Sequence, residues 1–211
     1  MVESSAAEAV AALFTRADGS YLFARWGRPI APVVFGVEPE SLPVIKGAFE
    51  AVAALAGQPM AETDPELGAN LMVFFVRDWA ELPEVPHLDR LVPELGALCE
   101  RLAAVAANQY RIFRFDAAGA IKAAFVFLRM DVHLAAVPAE VLALAQAVQT
   151  VLLWSDRAFM DASPLVRVQD RVILRPEIGE VICAGYDPVL PAMAQDPSHA
   201  VRLAARISAR H

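Results

Sequence analysis

Thiol and imidazole groups are scarce in this chain of 211 residues, which has two cysteines and four histidines. Cys99 and Cys183 stand in no C-x-x-C pair, which argues against zinc-ribbon and dithiol redox chemistry and leaves two small apolar side chains that could pair or stay free. His87, His133, His199 and His211 include no His-x-His and no pair four residues apart, so a metal site would need the fold to gather them from separate elements. The chain also lacks G-x-G-x-x-G, the P-loop and G-x-S-x-G, and neither cysteine has a nearby histidine. No cofactor is therefore expected. The longest nearly apolar stretch is too short for a bilayer and holds glutamines, so no membrane span is expected. Cations are outnumbered, with 18 Lys and Arg against 25 Asp and Glu for a net charge of -7, which argues against affinity for nucleic acid or an anionic membrane. The opening MVESSAAEAVAALFTR carries acidic residues early and Glu8 within its apolar run, unlike a secretory signal. A cytoplasmic chain and an exported one with a trimmed signal both remain compatible.

Apolar residues make up 57% of the chain, ample for one dense core, and an apolar excess would become an interface, so a homo-oligomer is one reading. Ser4 or Ser5 can cap a first helix that runs toward Phe14 and stops at Asp18-Gly19. Two prolines lead into Val33, Val34 and Phe35, expected as a core strand. Residues 41–57 read as an amphipathic helix, with Val44, Ile45, Ala48, Phe49, Val52 and Leu55 as its apolar positions and Gly57 closing it. Leu71 to Val76 is a continuous apolar run, expected as a mid-sheet strand. Residues 81–93 hold three prolines and His87 and read as an irregular connector to a helix over 94–107. YRIFRFDAAGAIKAAFVFLRMD reads as a hairpin turning at Gly119. Residues 164–174 could be extended, Pro176 opens a helix ended by Gly185, and Asp196-Pro197 caps a last helix. That helix carries Arg202, Arg206 and Arg210 four apart, as a solvated face or a phosphate-binding surface.

The most informative stretch is PAEVLALAQAVQTVLLWSD, residues 138–156, which reads as a helix apolar on nearly all sides except for Gln146, Gln149 and Thr150. Buried amides need partners, so this stripe is either a satisfied core network or the floor of a cleft. The flanking Val148, Val151, Leu152 and Leu153 favour core, with the amides bonded to neighbouring backbone. On that reading Gln149→Ala costs about 1 to 3 kcal/mol, whereas a cleft position leaves stability within roughly 0.5 kcal/mol. The stripe holds no His, Cys or carboxylate, hence no good metal ligand and no general base.

Taken in order, Arg25-Trp26, Pro29-Ile30, Ala69-Asn70-Leu71, the hairpin, the helix ending near Asp156, and Tyr186-Asp187-Pro188 with Leu190 and Met193 resemble a family of uncharacterised bacterial domains of unknown function. That family is regarded as related to zincin metallopeptidases, and the resemblance spans roughly residues 21–193. In zincins the helix after the hairpin carries H-E-x-x-H, two zinc ligands one turn apart with the base between them. The resemblance lays Ala145 on the first ligand, Gln146 on the catalytic Glu and Gln149 on the second ligand. The glycine and third ligand further on fall on Leu152 and Ser155. These departures leave no zinc hydrolase and imply a pseudopeptidase.

The expected fold is α+β: a single zincin-like domain with a small mixed β-sheet packed against several helices and the degenerate helix, about 138–154, in its core. Residues 1–20 are expected as an N-terminal helical extension, 21–195 as the domain, and 196–211 as a C-terminal helix packed on it. Possible cleft residues are Asp131 and His133, two apart at a strand end, with Asp156, Tyr186 and Asp187. Asp131 and His133 read as a catalytic or metal pair or as surface and capping groups. Tyr186 and Asp187 read as a turn or a ligand contact, and Asp156 as a turn anchor or a cleft carboxylate. The expected role is a non-catalytic domain that binds a protein or peptide partner or is structural. The alternatives are a hydrolase with a relocated, metal-independent acid/base site drawn from Asp131, His133, Asp156, Tyr186 or Asp187, and an oligomeric assembly module.

Overall fold

The computed structural model describes the backbone of residues 2–210 and the side chains of residues 6–210. In chain order its elements are α1 (Val2–Ala12), β1 (Phe23–Ala24), β2 (Pro32–Phe35), α2 (Leu42–Ala56), β3 (Leu71–Val76), α3 (Leu88–Leu91), α4 (Leu95–Ala104), β4 (Gln109–Phe115), β5 (Ile121–Arg129), α5 (Ala139–Val151), β6 (Leu165–Val168), β7 (Arg171–Leu174), α6 (Pro176–Gly185), β8 (Met193–Ala194) and α7 (Ser198–Ser208). The main sheet runs β2-β3-β5-β4; the first three strands are parallel and β4 lies antiparallel to β5 at the edge. No described helix is long and apolar enough to cross a membrane.

The central strands are nearly continuous apolar runs because helices cover both faces of the sheet. The pleat sends Leu71, Val73, Ala124, Val126 and Leu128 into a core with α2 and α5. It sends Phe74, Val76, Phe125 and Phe127 the other way, onto Leu95, Leu98 and Leu102 of α4 and onto Trp79 and Leu82 of the 3-10 helix Trp79–Glu84. This is the expected mixed α/β layering. The N-terminal helix is more than an extension, since Val10 and Phe14 lie in the main core and α1 packs on α7. It ends at Ala12, short of the expected stop, and Gly19 serves instead in the turn joining Thr15 to Tyr21. α1 begins at Val2, so Ser4 and Ser5 lie within it rather than at its start as caps, and His211 lies outside the described residues.

Several expectations are corrected. The strand carrying Val33, Val34 and Phe35 is an edge strand, not a core strand, and an edge is where Pro32 is tolerated without a ladder hydrogen bond. Val44 and Leu55 of α2 are exposed, while Ile45, Phe49, Val52 and Ala56 are buried; Gly57 takes the left-handed conformation at φ 66°. The proline-bearing connector is largely helical, as the 3-10 turn and α3. Gly185 is the last residue of α6 rather than its stop, and a Cβ there would sit 3.3 Å from the Phe23 ring. Cys99 and Cys183 are free thiols, one buried on α4 and the other half-buried on α6. The arginine stripe is divided, since Arg206 pairs with Asp187 at 3.6 Å and Arg210 donates to the Cys183 carbonyl at 3.0 Å.

The helix expected over 138–154 ends at Val151, where Leu152 turns extended and pairs with Arg25. No glycine or basic residue stops it. Three aromatic donors take its last carbonyls instead: Trp154 Nε1 on Val148 at 2.8 Å, Trp26 Nε1 on Thr150 at 2.9 Å and the Tyr186 hydroxyl on Val151 at 2.7 Å. Each satisfies an orphan group of a buried helix end.

Candidate functional site

A groove runs along the open edge of β4. Its cavity of about 570 Å³ is lined by Arg16, residues 109–113, Phe115, Gln149, residues 153–156 and Phe159. Side chains of a strand alternate between faces, so five consecutive lining residues mean that the backbone edge itself borders the cavity. That edge pairs with no strand among the described residues. A second cavity of about 420 Å³ continues past Gln109, Gln149 and Phe159 to Ala145, Gln146 and the hairpin of β6 and β7.

The opposite wall is α5. Gln146 is 2% exposed and sits in a network of side chains: its Oε1 accepts a short hydrogen bond from Arg111 Nη2, and its Nε2 donates to Gln109 Oε1 at 3.0 Å. Arg111 Nη2 also donates to Gln109 Oε1 at 3.1 Å. Gln149 is half-buried and lines both cavities, and its side chain has no hydrogen-bond partner among the described residues. The expectation of core for both amides is thus corrected: one helical turn separates a sealed Gln146 from a wet Gln149, and the partners of Gln146 are side chains rather than backbone. Gln146→Ala should therefore cost about 1 to 3 kcal/mol, whereas Gln149→Ala should stay within roughly 0.5 kcal/mol. Urea titration of the two variants side by side checks this, and equal losses would contradict the assignment.

Arg111 is the residue that sequence reasoning missed. It is half-buried, its Nε is sealed from solvent without an acceptor, and no carboxylate lies within ion-pair distance among the described residues. Burial pushes its pKa down to about 10. The available signal was period two, since Gln109, Arg111 and Phe113 alternate onto the face of β4 that the following helix covers.

Asp156 and Ser155 line the groove, and Asp156 also accepts from the Ala17 N–H at 3.0 Å, so it is both turn anchor and groove carboxylate. The other expected cleft residues lie in structures of their own. Asp131 accepts from the backbone N–H groups of His133 and Leu134 and from Asn108, and these bonds, that of Leu134 foremost, hold its carboxyl below the ordinary range. His133 is an exposed turn residue. Tyr186 spends its hydroxyl on the end of α5, and Asp187 holds Val189 N–H and Arg206. Among the described hydrogen bonds and ion pairs, Asp131, His133, Asp156, Tyr186 and Asp187 do not meet as one set.

The zinc that the resemblance would imply does not fit. Ala145 has no donor atom, Gln146 is engaged by a guanidinium cation, and Gln149 offers only a neutral amide. Among the described residues no group of three or more His, Cys, Asp or Glu could hold a metal. Such a groove offers an extended chain an unpaired strand edge, and of its lining groups Ser155 bonds the backbone of Ala12 and Arg157 while Asp156 bonds that of Ala17. Comparison with protein-family models, curated proteins and solved structures gave no match.

Proposed function

We propose that this is a zincin-like domain that has lost its hydrolytic apparatus and keeps its cleft to bind an extended peptide or protein segment. One observation carries the reading. Of the positions that the resemblance assigns to the zinc ligands and the base, Gln149 and Ser155 line the cavity beside the unpaired edge of β4, and Ala145, Gln146 and Gln149 line the second cavity, which shares Gln109, Gln149 and Phe159 with it. An unpaired edge offers a row of backbone donors and acceptors to an added strand, while Trp154, Phe159 and Phe113 offer apolar surface to its side chains.

Panning a displayed random-peptide library against the purified protein tests this. Recovered peptides should bind one site per chain with about micromolar affinity, stay intact on long incubation by mass spectrometry, and bind equally with and without a chelator. Peptide cleavage that a chelator abolishes would overturn the loss of catalysis. Stoichiometric zinc that survives dialysis and is lost in Gln149→Ala would do the same.

A further inference from the structure

The chemistry at the floor of the groove is not that of a neutral peptide site. Arg111 brings a full positive charge to a half-buried place, and among the described residues it finds only two neutral amide oxygens, both at Nη2. Nε has no acceptor at all. Nη1 has no protein partner and is not among the sealed atoms, so it stays in contact with solvent. Several other half-buried cations have a charged or aromatic partner: Arg28 with Asp64 and Glu66, Lys122 with Glu66, Arg129 with Asp131, and Arg25 over the Tyr186 ring at 5.5 Å. The Nε atoms of Arg25 and Arg129 are sealed without an acceptor as well, but of these three only Arg111 lines the groove, where Gln109 and Gln146 hold its guanidinium in a fixed direction. Arg16 lines the same cavity and makes no ion pair among the described residues, while Asp156 is the single carboxylate in the lining. The local balance is therefore positive in a chain of net charge -7.

Burying a cation without a counterion is unfavourable, and a preorganised guanidinium is well matched to a carboxylate. We infer that Arg111 makes the groove a carboxylate receptor, so that the segment bound along β4 is anchored by a carboxylate it carries, either its C-terminus or an acidic side chain. This rests on the peptide-binding reading and specifies which peptides are taken. Gln146 acts as a positioning residue, since both ends of its amide are engaged by Arg111 and Gln109.

Two measurements separate the anchor from the groove. The first follows the Arg111 Nε–H cross-peak in a ¹⁵N spectrum of the whole chain while sodium acetate is added, with sodium chloride at equal ionic strength as control. Acetate should move the peak saturably and chloride should not; equal response to both salts would overturn the inference. The second compares extended peptides of one neutral sequence in three forms by fluorescence anisotropy: free C-terminus, amidated C-terminus with one Glu, and amidated without any acid. At least one carboxylate form should bind about tenfold tighter than the neutral amide, the better of the two identifying the source, and raising salt should narrow the gap. Arg111→Gln should erase the preference and Arg111→Lys should keep part of it. Equal binding of all three peptides by the unaltered chain would overturn the carboxylate anchor and leave the peptide groove standing. A saturable acetate shift with no peptide binding would uphold the anchor and remove the peptide reading.

Discussion

Asn70→Ala should be among the most damaging single changes outside the apolar core, costing about 3 kcal/mol or more. Asn70 is 1% exposed and uses both ends of its amide. Its Oδ1 accepts from the Ala31 N–H at 2.8 Å, and its Nδ2 donates to the Pro29 carbonyl at 2.8 Å and to Asp64 Oδ2 at 3.0 Å. One side chain thus ties the lead into β2 to the start of β3. Alanine would orphan the buried Ala31 N–H and strip a donor from the buried Asp64 carboxylate, each loss worth about 1 to 3 kcal/mol and not fully additive, and would release the Pro29 carbonyl as well. Burial opposes the charge on Asp64, yet the N–H groups of Leu67 and Glu66, with Asn70 and Arg28, hold its pKa below the ordinary value. Removing Asn70 weakens that balance. Since a domain has only about 5 to 15 kcal/mol in hand, the urea midpoint should fall sharply. A loss below about 1 kcal/mol would contradict the account.

The second large effect concerns pH. His199 is fully buried on α7, its Nδ1 2.9 Å from the Tyr21 hydroxyl, its Nε2 without a partner and its ring 4.4 Å from that of Phe23. Burial, with a smaller push from Arg202, takes its pKa down to about 4 from the model-peptide 6.5. The folded chain therefore keeps this histidine neutral where the unfolded chain protonates it. Its contribution is fully present above pH 6.5 and is lost as pH falls toward 4, the unfolded state binding the extra proton across that window. The loss should be about 3 kcal/mol. In His199→Gln, which keeps a polar partner for Tyr21 but cannot titrate, stability should fall less steeply between those limits. Parallel acid limbs for the two proteins, followed by urea unfolding at each pH, would show that His199 does not set this dependence.

What the sequence made legible follows the range of the interactions. Gly57, Gly119 and the run Leu71–Val76 act locally, through a left-handed conformation, a tight turn and burial on both faces, and all three appear where their residue types point. The end of α5 was not legible. Its stop signals are indole and phenol groups, of which Trp26 and Tyr186 lie far along the chain. The edge position of β2 likewise depends on which strands pair, and Pro32 was its one local mark. The polar stripe of α5 was visible, but not its division into a sealed Gln146 and a wet Gln149. That division depends on Arg111, a charge inside the apolar-looking YRIFRF whose direction is set only once β4 lies beside the helix.

The most direct measurement of the central claim is amide hydrogen exchange of the whole chain with and without a peptide selected against it. Strand addition to the open edge predicts that the added protection falls on residues 109–115 of β4, with smaller changes at 153–156 and at the Gln149 side chain. The outer amides of β2, the other edge of the same sheet, should be unchanged. Protection confined to β2 or spread evenly over the surface, with β4 exchanging as in the free protein, would contradict the account.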